Sequence, residues 1–416
     1  MAQKTLGEVA DYINGRAFKP DEWEDDGLPI IRIQNLTGST DICNRTTKTY
    51  EEKYLVVDGD LLFAWSASLG AHIWHGENGW LNQHIFKVMP HKETDKYYLY
   101  YYLLHVVDQL YAKTHGSGMV HITLKPFKNT AIYIPSLSEQ RRIVDRIEGL
   151  FTRLDEAKEK AQVVVDGFEL RKSAILHKAF TGELTERWRK EHGVGLDSWK
   201  QAILMDVLKE KPRNGYSPKP VNYVTAYKSM TLSAITSGVF REEYFKYIDE
   251  TIQEDSYLWL QPEDILIQRA NSLDKVGTSA IYTSQEHEFI YPDLMMKLQV
   301  VETASPRFVA YYLKRNDIMA YFRENATGTA GNMPKINQKT VSNTPLTLPT
   351  LDEQIEIVRI LENLFVKEQQ AKESAEVVLT QIDTMKKAIL ARAFRGELGT
   401  NDPEEKWAGE LVKAML

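Results

Sequence analysis

Apolar residues return at alternating steps of four and three from Ile143: Ile143, Ile147, Leu150, Leu154, Ala157, Ala161, Val164 and Phe168. That spacing is a heptad seam, and it predicts a long helix whose apolar stripe packs on another helix. A second seam runs through Ile357, Leu361, Leu364, Ala371, Ala375, Val378 and Ile382, with a charged fault at Glu368. Neither stretch contains proline. Ser138 and Asp352 are the expected N-caps, each followed by a glutamate that suits the helix dipole. Gly182 and Gly396 are expected just past the C-terminal ends. From Ser138 to Phe180 the first helix would run roughly 60 Å.

The two seams are copies. Residues 135–184 recur as 349–398 without a gap, and 24 of the 50 positions are identical. Two such helices in one chain can pair antiparallel, with the alanines at 157/161 and 371/375 allowing close approach. Ordinary core helices, or a coiled coil that dimerises the chain, would show the same heptads. A gapless duplication with a whole domain before each copy favours a built-in spacer.

The stretches between the copies read as mixed α/β and follow the same order. Residues 28–34, 59–64 and 84–88 are expected strands, and 97–110 an apolar, tyrosine-rich helix. Residues 263–267 answer 59–63, and 307–313 answer 97–103. A glycine-rich loop then precedes the proline of each copy, at 114–118 and 326–332. The expected class is α+β: two similar mixed α/β domains, 1–135 and 191–349. Two long helices, 136–190 and 350–416 with its tail, would join them as an antiparallel coiled coil with a pseudo-two-fold.

Composition narrows the function. At 416 residues, two or more domains are expected. Net charge is −7, and the four segments carry −3, +2, −2 and −4 in chain order. Nucleic acid would therefore be held by local patches or with a partner's help, not by a broad positive field. One cysteine, Cys43, excludes an internal disulfide and fits a reducing cytoplasm. No run of about 18 apolar residues is present, so no membrane partner is expected, and no signal-peptide pattern opens the chain.

Polar side chains suited to base edges cluster after the central expected strand of each domain. In the second domain these are Gln268, Arg269, Asn271, Ser272 and Lys275; in the first, Trp65, Ser66, Ser68 and His72. Arg213, Asn214, Tyr216 and Ser217 form another candidate loop, and His115, Ser117, His121, Thr329, Asn332 and Lys335 flank the glycine-rich loops. Arginine pairs with guanine, and asparagine or glutamine with adenine, through two hydrogen bonds each. Each of these loops could equally be plain solvated surface.

Catalytic patterns are missing. There is no glycine-rich phosphate loop. His72 and His75 lack ligand partners at zinc spacing. Asp293 and Lys297 are spaced as in a metal-dependent nuclease core, but Met295 stands where its second acid belongs. Cys43 has no activating neighbour in sequence and is expected to be buried. No cofactor or metal is expected in the chain. Two ligand-binding domains on a rod, without nucleic acid, and an enzyme such as a nuclease or a fused methyltransferase remain as other readings.

Taken together, the chain resembles the specificity subunit of bacterial type I restriction-modification systems over essentially its whole length. The resemblance rests on residues 134–140 and 348–354 opening the helices, and 179–184 and 393–398 closing them. Residues 213–218, 269–272 with Val276 and Gly277, and the pair Asn82 and Gln83 add to it. It implies that each variable domain reads one half of a split double-stranded DNA target. It implies that the helices set the gap and dock two methyltransferase subunits, which bind S-adenosylmethionine, while restriction subunits join to cleave. The specificity subunit itself would do no chemistry. In the first domain Trp65 and Ser66 stand where the second has Arg269, which implies a readout less driven by arginine.

Overall fold

The computed structural model describes residues 3–112, 121–328 and 333–400. Within them the chain divides into two compact units: residues up to 162 with those from 375, and residues 163–374. Each unit takes one variable domain and a portion of both long helices.

The first unit is built on a four-stranded antiparallel sheet in the order Ala10–Asn14, Ile85–Pro90, Leu61–Ala64, Gly70–Ile73. The strand Leu61–Ala64 is buried along its whole length, as a central strand covered on both faces must be. Successive side chains alternate faces. Leu61 and Phe63 meet the main core with Leu99, Leu103 and Val106 of the helix Lys96–Tyr111. Leu62 faces the other way, onto Ile31, Val56 and Leu81. In the tyrosine run of that helix, Tyr98, Tyr101 and Tyr102 are buried and Tyr97 is exposed. The expected strand at 28–34 covers only Leu28–Ile31 before a short helix, Ile33–Leu36.

The second unit repeats this plan. Its sheet runs Arg213–Asn214, Met295–Leu298, Ile265–Gln268, Ser279–Ile281, all antiparallel. Ile265 and Ile267 face the helix Pro306–Tyr312, while Leu266 faces a separate cluster with Met230 and Phe289. The ion pairs at the central strands also correspond, the first partly buried and the second buried. Asp60 meets Lys87 at 2.8 Å, and Asp264 meets Lys297 at 3.6 Å. In each case the acid directly precedes the central strand, and the lysine sits opposite its second residue.

The long helices are antiparallel in each unit. In the first, Lys386 pairs with Asp155 at 2.6 Å, and Ile143 and Ile147 share a core with Leu390 and Phe394. In the second, Arg171 pairs with Glu368 at 2.6 Å, and Leu176 and Phe180 pack with Ile357 and Leu361. The charged fault in the seam is thus answered across the pair by an arginine.

Three details differ from expectation. The caps are Ser136 and Thr350, two residues earlier than Ser138 and Asp352: their hydroxyls accept from the backbone N–H groups of Glu139 and Glu353. The first helix is not continuous. It runs Leu137–Asp166, breaks at Gly167 and resumes as Phe168–Phe180, whereas the second runs unbroken over Leu351–Phe394. At the break Arg171 Nη2 donates to the Val164 carbonyl at 2.8 Å; a side chain entering the helix ladder beside a glycine bends it.

The seam is also incomplete. Ile143, Ile147, Ala161, Phe168, Ile357, Leu361, Ala375 and Ile382 are buried, and Leu150, Leu154, Ala157, Val164 and Leu364 are partly so. Ala371 and Val378 are exposed.

The duplicated Glu-Gln pair explains why each helix starts where it does. Gln140 and Gln354 are fully buried. Gln140 accepts from the backbone N–H of Asp95 at 2.7 Å and donates to the Pro135 carbonyl at 2.8 Å. Gln354 does the same with Ser305 and Pro349, both at 2.9 Å. Asp95 and Ser305 are themselves the N-caps of the preceding helices. One amide therefore ties two helix starts together in each unit.

Candidate nucleic-acid interface

At one edge of each sheet four segments are stitched together by the same backbone hydrogen bonds. In the first unit Trp65 N–H donates to the His84 carbonyl at 3.0 Å, and Ile122 N–H to the Trp65 carbonyl at 3.0 Å. Gly15 N–H donates to the Ile85 carbonyl, and Arg16 N–H to the Leu81 carbonyl. In the second unit Arg269 N–H donates to Leu294, Ile336 N–H to Arg269, Gly215 N–H to Met295 and Tyr216 N–H to Tyr291. Ser66 bridges His121 and Ala270 bridges Lys335 in matching positions. Each edge thus presents the same four segments with different side chains.

The tightness of the edge explains its glycines. A Cβ on Gly15 would lie 2.0 Å from the Asn82 carbonyl oxygen, and one on Gly215 would lie 2.1 Å from that of Tyr291. Backbone strain gathers here in the first unit, where Ala67 and His84 adopt positive φ of 59° and 75°. So do unmet polar atoms: Arg16 Nη1, His84 Nδ1 and Asn214 Oδ1 are buried without a hydrogen-bond partner. Such atoms are uncommon inside a folded protein, and each one calls for an explanation. The His84 imidazole is pushed down in pKa by burial and then by His121.

The sequence candidates divide on inspection. In the second unit Arg269 is half-buried, makes no ion pair among the described residues, and spends one N–H on the Asp293 carbonyl at 3.3 Å. Ser272 is exposed and Lys275 half-exposed in the same loop, and Lys335 is exposed beside them. Asn271 donates to Gln268 Oε1 at 2.8 Å. Gln268 itself does not belong to the surface. It is fully buried, with its amide nitrogen on the Leu232 carbonyl and Thr236 hydroxyl, so it props the loop from beneath. Tyr216 and Ser217 are exposed, held by Glu250 and Asp293 respectively. Arg213 is committed to Glu210 at 2.6 Å and to the Tyr257 ring at 4.8 Å.

In the first unit Trp65 is not splayed toward solvent. Its ring stacks on Phe86 and its indole N–H donates to Asn14 Oδ1 at 2.9 Å. Ser66 is buried, while Ser68 is exposed. His72 lies away from this edge, in a cleft with Tyr97, Tyr101 and Glu148. His121 is at the edge. His115, Ser117, Thr329 and Asn332 lie outside the described residues. Sequence reasoning passed over Arg16, whose guanidinium sits 4.0 Å from the Tyr50 ring centroid and 2.9 Å from Glu22. It also assigned no role to His84. The signal available was the glycine before Arg16, matched by Gly215 before Tyr216.

The residues considered for catalysis have other uses. Lys297 is buried, donating to the Tyr257 and Trp259 carbonyls at 2.6 and 2.9 Å. Asp293 is held by Ser217. Cys43 is half-buried rather than buried, and burial pushes its thiol up. Among the described residues, no group of three or more His, Cys, Asp or Glu side chains is placed to hold a metal ion, and no helix is long and apolar enough to cross a membrane.

Known proteins share this architecture. The chain superposes on the HsdS subunit from Thermoanaerobacter tengcongensis with a TM-score of 0.65 at 18% identity, covering 95% of this chain and 97% of that one. A chain from a structure of type I restriction-modification complex assembly gives 0.67 at 18%, covering 95% and 98%. In sequence it is 25% identical to the specificity subunit of type I restriction enzyme EcoKI from Escherichia coli K12, over 94% of this chain and 88% of that protein. The EcoBI specificity subunit of Escherichia coli is 24% identical over 95% and 85%. The family model of the type I restriction modification DNA specificity domain matches twice, at residues 1–164 and 199–377. Two matches that span most of the chain, each covering one sheet and its four-segment edge, place this protein in the family of type I restriction-modification specificity subunits.

Proposed function

We propose that each four-segment edge reads one half of a bipartite double-stranded DNA target, and that the long helices set the gap between the halves. The observation that carries this reading is the edge itself: one backbone frame, made twice in one chain, with different side chains at matching positions. Arg269, Ser272, Lys275, Tyr216 and Lys335 serve the second half-site. Ser68 and His121 serve the first, with Arg16 and His84 shaping the edge around them. A base edge in the groove offers the donors and acceptors that such side chains require. The weak net charge suits a subunit that relies on partners for phosphate contacts.

The chain acts without chemistry of its own. Two methyltransferase subunits dock on the helices and carry S-adenosylmethionine, restriction subunits complete the assembly, and the complex works in the cytoplasm. The test is a methylome. The chain is co-expressed with a cognate methyltransferase subunit in a host without modification of its own, and methylated adenines are mapped by single-molecule sequencing. One split motif with a fixed gap is expected. A soluble complex that leaves no new methylation would overturn the reading.

A further inference from the structure

The second unit contains a cleft of about 810 Å³, a volume typical of small-molecule sites. One wall is apolar, with Phe168, Leu176, Tyr311, Met319 and Phe365. Two ammonium groups, Lys172 and Lys314, also line it. Lys172 has Glu169 at 3.6 Å. Lys314 makes no ion pair among the described residues, and its ammonium lies 5.1 Å from the Tyr311 ring centroid. Burial, and then the charge of Lys172, pull the Lys314 pKa down to about 8. Ser279 is 2% exposed, lines the same cleft, and leaves its Oγ without a hydrogen-bond partner.

The first unit shows what the fold requires at this place. A smaller cleft of about 450 Å³ lies there, with Tyr101 and Glu148 where the second unit has Tyr311 and Glu362. The position matching Lys314 is Leu104, which packs against the core. The scaffold thus accepts an apolar side chain at this point. A lysine there carries a desolvation cost that no ion pair among the described residues offsets, because the carboxylates lining the cleft, Glu169 and Glu362, are paired with Lys172 and Arg307. A half-buried cation without an ion pair among the described residues, an orphaned hydroxyl and an apolar wall lining one cleft are the marks of a ligand site.

We propose that this cleft binds a small amphipathic anion, a carboxylate or sulfonate on an aromatic or branched apolar body. The anion sits between Lys314 and Lys172, the Ser279 hydroxyl donates to it, and the body lies on Phe168, Tyr311 and Phe365. None of the side chains proposed to read DNA lines this cleft.

The test uses the full chain and the fluorescent probe 8-anilinonaphthalene-1-sulfonate, with 4-phenylbutyrate as competitor. One saturable site per chain is expected, displaced by the competitor. Affinity should fall at least tenfold in Lys314→Met and recover in Lys314→Arg. Val239→Trp should block the mouth from an exposed loop position, and it decides the matter alone if Lys314→Met fails to fold. Acetylation of Lys314 by limiting acetic anhydride, followed by mass spectrometry, should slow when 4-phenylbutyrate is present. Equal probe affinity in the wild type, Lys314→Met and Val239→Trp would overturn the proposal, as would many weak sites indifferent to the competitor.

Discussion

Glu353 offers a direct test of how the second long helix is anchored. It is fully buried at the helix start. Its Oε1 accepts from the Thr185 hydroxyl and from Arg189 Nη1, both at 2.7 Å, and its Oε2 accepts from Trp199 Nε1 at 2.8 Å. Arg189, with a side chain 7% exposed, has two other acceptors, both uncharged: the Gly182 carbonyl at 2.7 Å and the Thr185 hydroxyl at 2.9 Å. Replacing Glu353 by leucine leaves the guanidinium buried without a counter-charge, which costs about 3–5 kcal/mol. Thr185 and Trp199 lose their acceptor in the same event, so their losses of about 1–3 kcal/mol each overlap with that figure and do not add to it. Removing Arg189 as well, in Glu353→Leu with Arg189→Met, eliminates both charges and should restore much of the loss. The assay is urea unfolding followed by circular dichroism and tryptophan fluorescence, fitted as two transitions because the chain has two units. Only the transition of residues 163–374 should move, at constant slope. Glu139→Leu should move the other one, since its carboxylate is held by Arg142 and Thr400 of the first unit. A loss below about 1 kcal/mol in Glu353→Leu, or a double variant no more stable than the single, would refute the reasoning.

Arg269→Ala should relax specificity in one half of the DNA target and leave the other unchanged, at about 1–3 kcal/mol if the guanidinium makes two bonds to a guanine; methylome mapping of the variant reads this directly. Gly215→Ala should displace Tyr216 and Ser217, because its Cβ would sit 2.1 Å from the Tyr291 carbonyl. Recognition of one half-site should weaken while the helices keep their circular dichroism, and intact methylation at the native motif would contradict the close packing drawn here. His72, His84 and His105 of the first unit all have pKa values lowered, with burial the leading cause in each. Their unfolded forms take up protons at higher pH than the folded ones. The first unit is therefore fully stable with respect to these groups above about pH 6.5, and it loses stability as pH falls from there toward the lowered folded values. The midpoint of its transition should drop between pH 7.5 and 5.5, and the drop should shrink in His72→Gln with His105→Gln; an unchanged slope in that variant would discount the histidines.

Much of the frame was legible because it rests on periodic and repeated signals. The heptads at Ile143, Ile147, Ile357 and Leu361 point to the buried stripe, and the offset copy at residues 349–398 exposes the second unit. What escaped were features set by partners distant in the chain. Ser138 looks like a better cap than Ser136 when the sequence is scanned for a short polar residue before the glutamate. The hydroxyl that reaches Glu139 N–H is nevertheless that of Ser136, because the chain turns directly after Pro135. The break at Gly167 depends on Arg171 reaching both Val164 and Glu368, and Glu368 lies almost two hundred positions away. Gln268 has the composition of a base-reading residue, yet Leu232 and Thr236 claim its amide from a loop that no local pattern connects to it.

The same logic sets a boundary on reading base preference from such a chain. Trp65 and Arg269 occupy one backbone slot, each held by the carbonyl opposite it, His84 or Leu294. Their fates differ because their neighbours differ. Trp65 finds Phe86 to stack on and Asn14 to accept its N–H, so it becomes part of the floor of the edge. Among the described residues Arg269 donates to a single carbonyl and keeps most of its donors. On the proposed function, the slot reads in one domain and supports in the other. In the first domain a cation, Arg16, stands one segment away, clamped between Tyr50 and Glu22. A scaffold stitched by backbone hydrogen bonds lets the reading side chain change segment without disturbing the fold. Two domains with one topology can then recognise unrelated sequences, and recognition has to be followed segment by segment, not by aligning one residue with its copy.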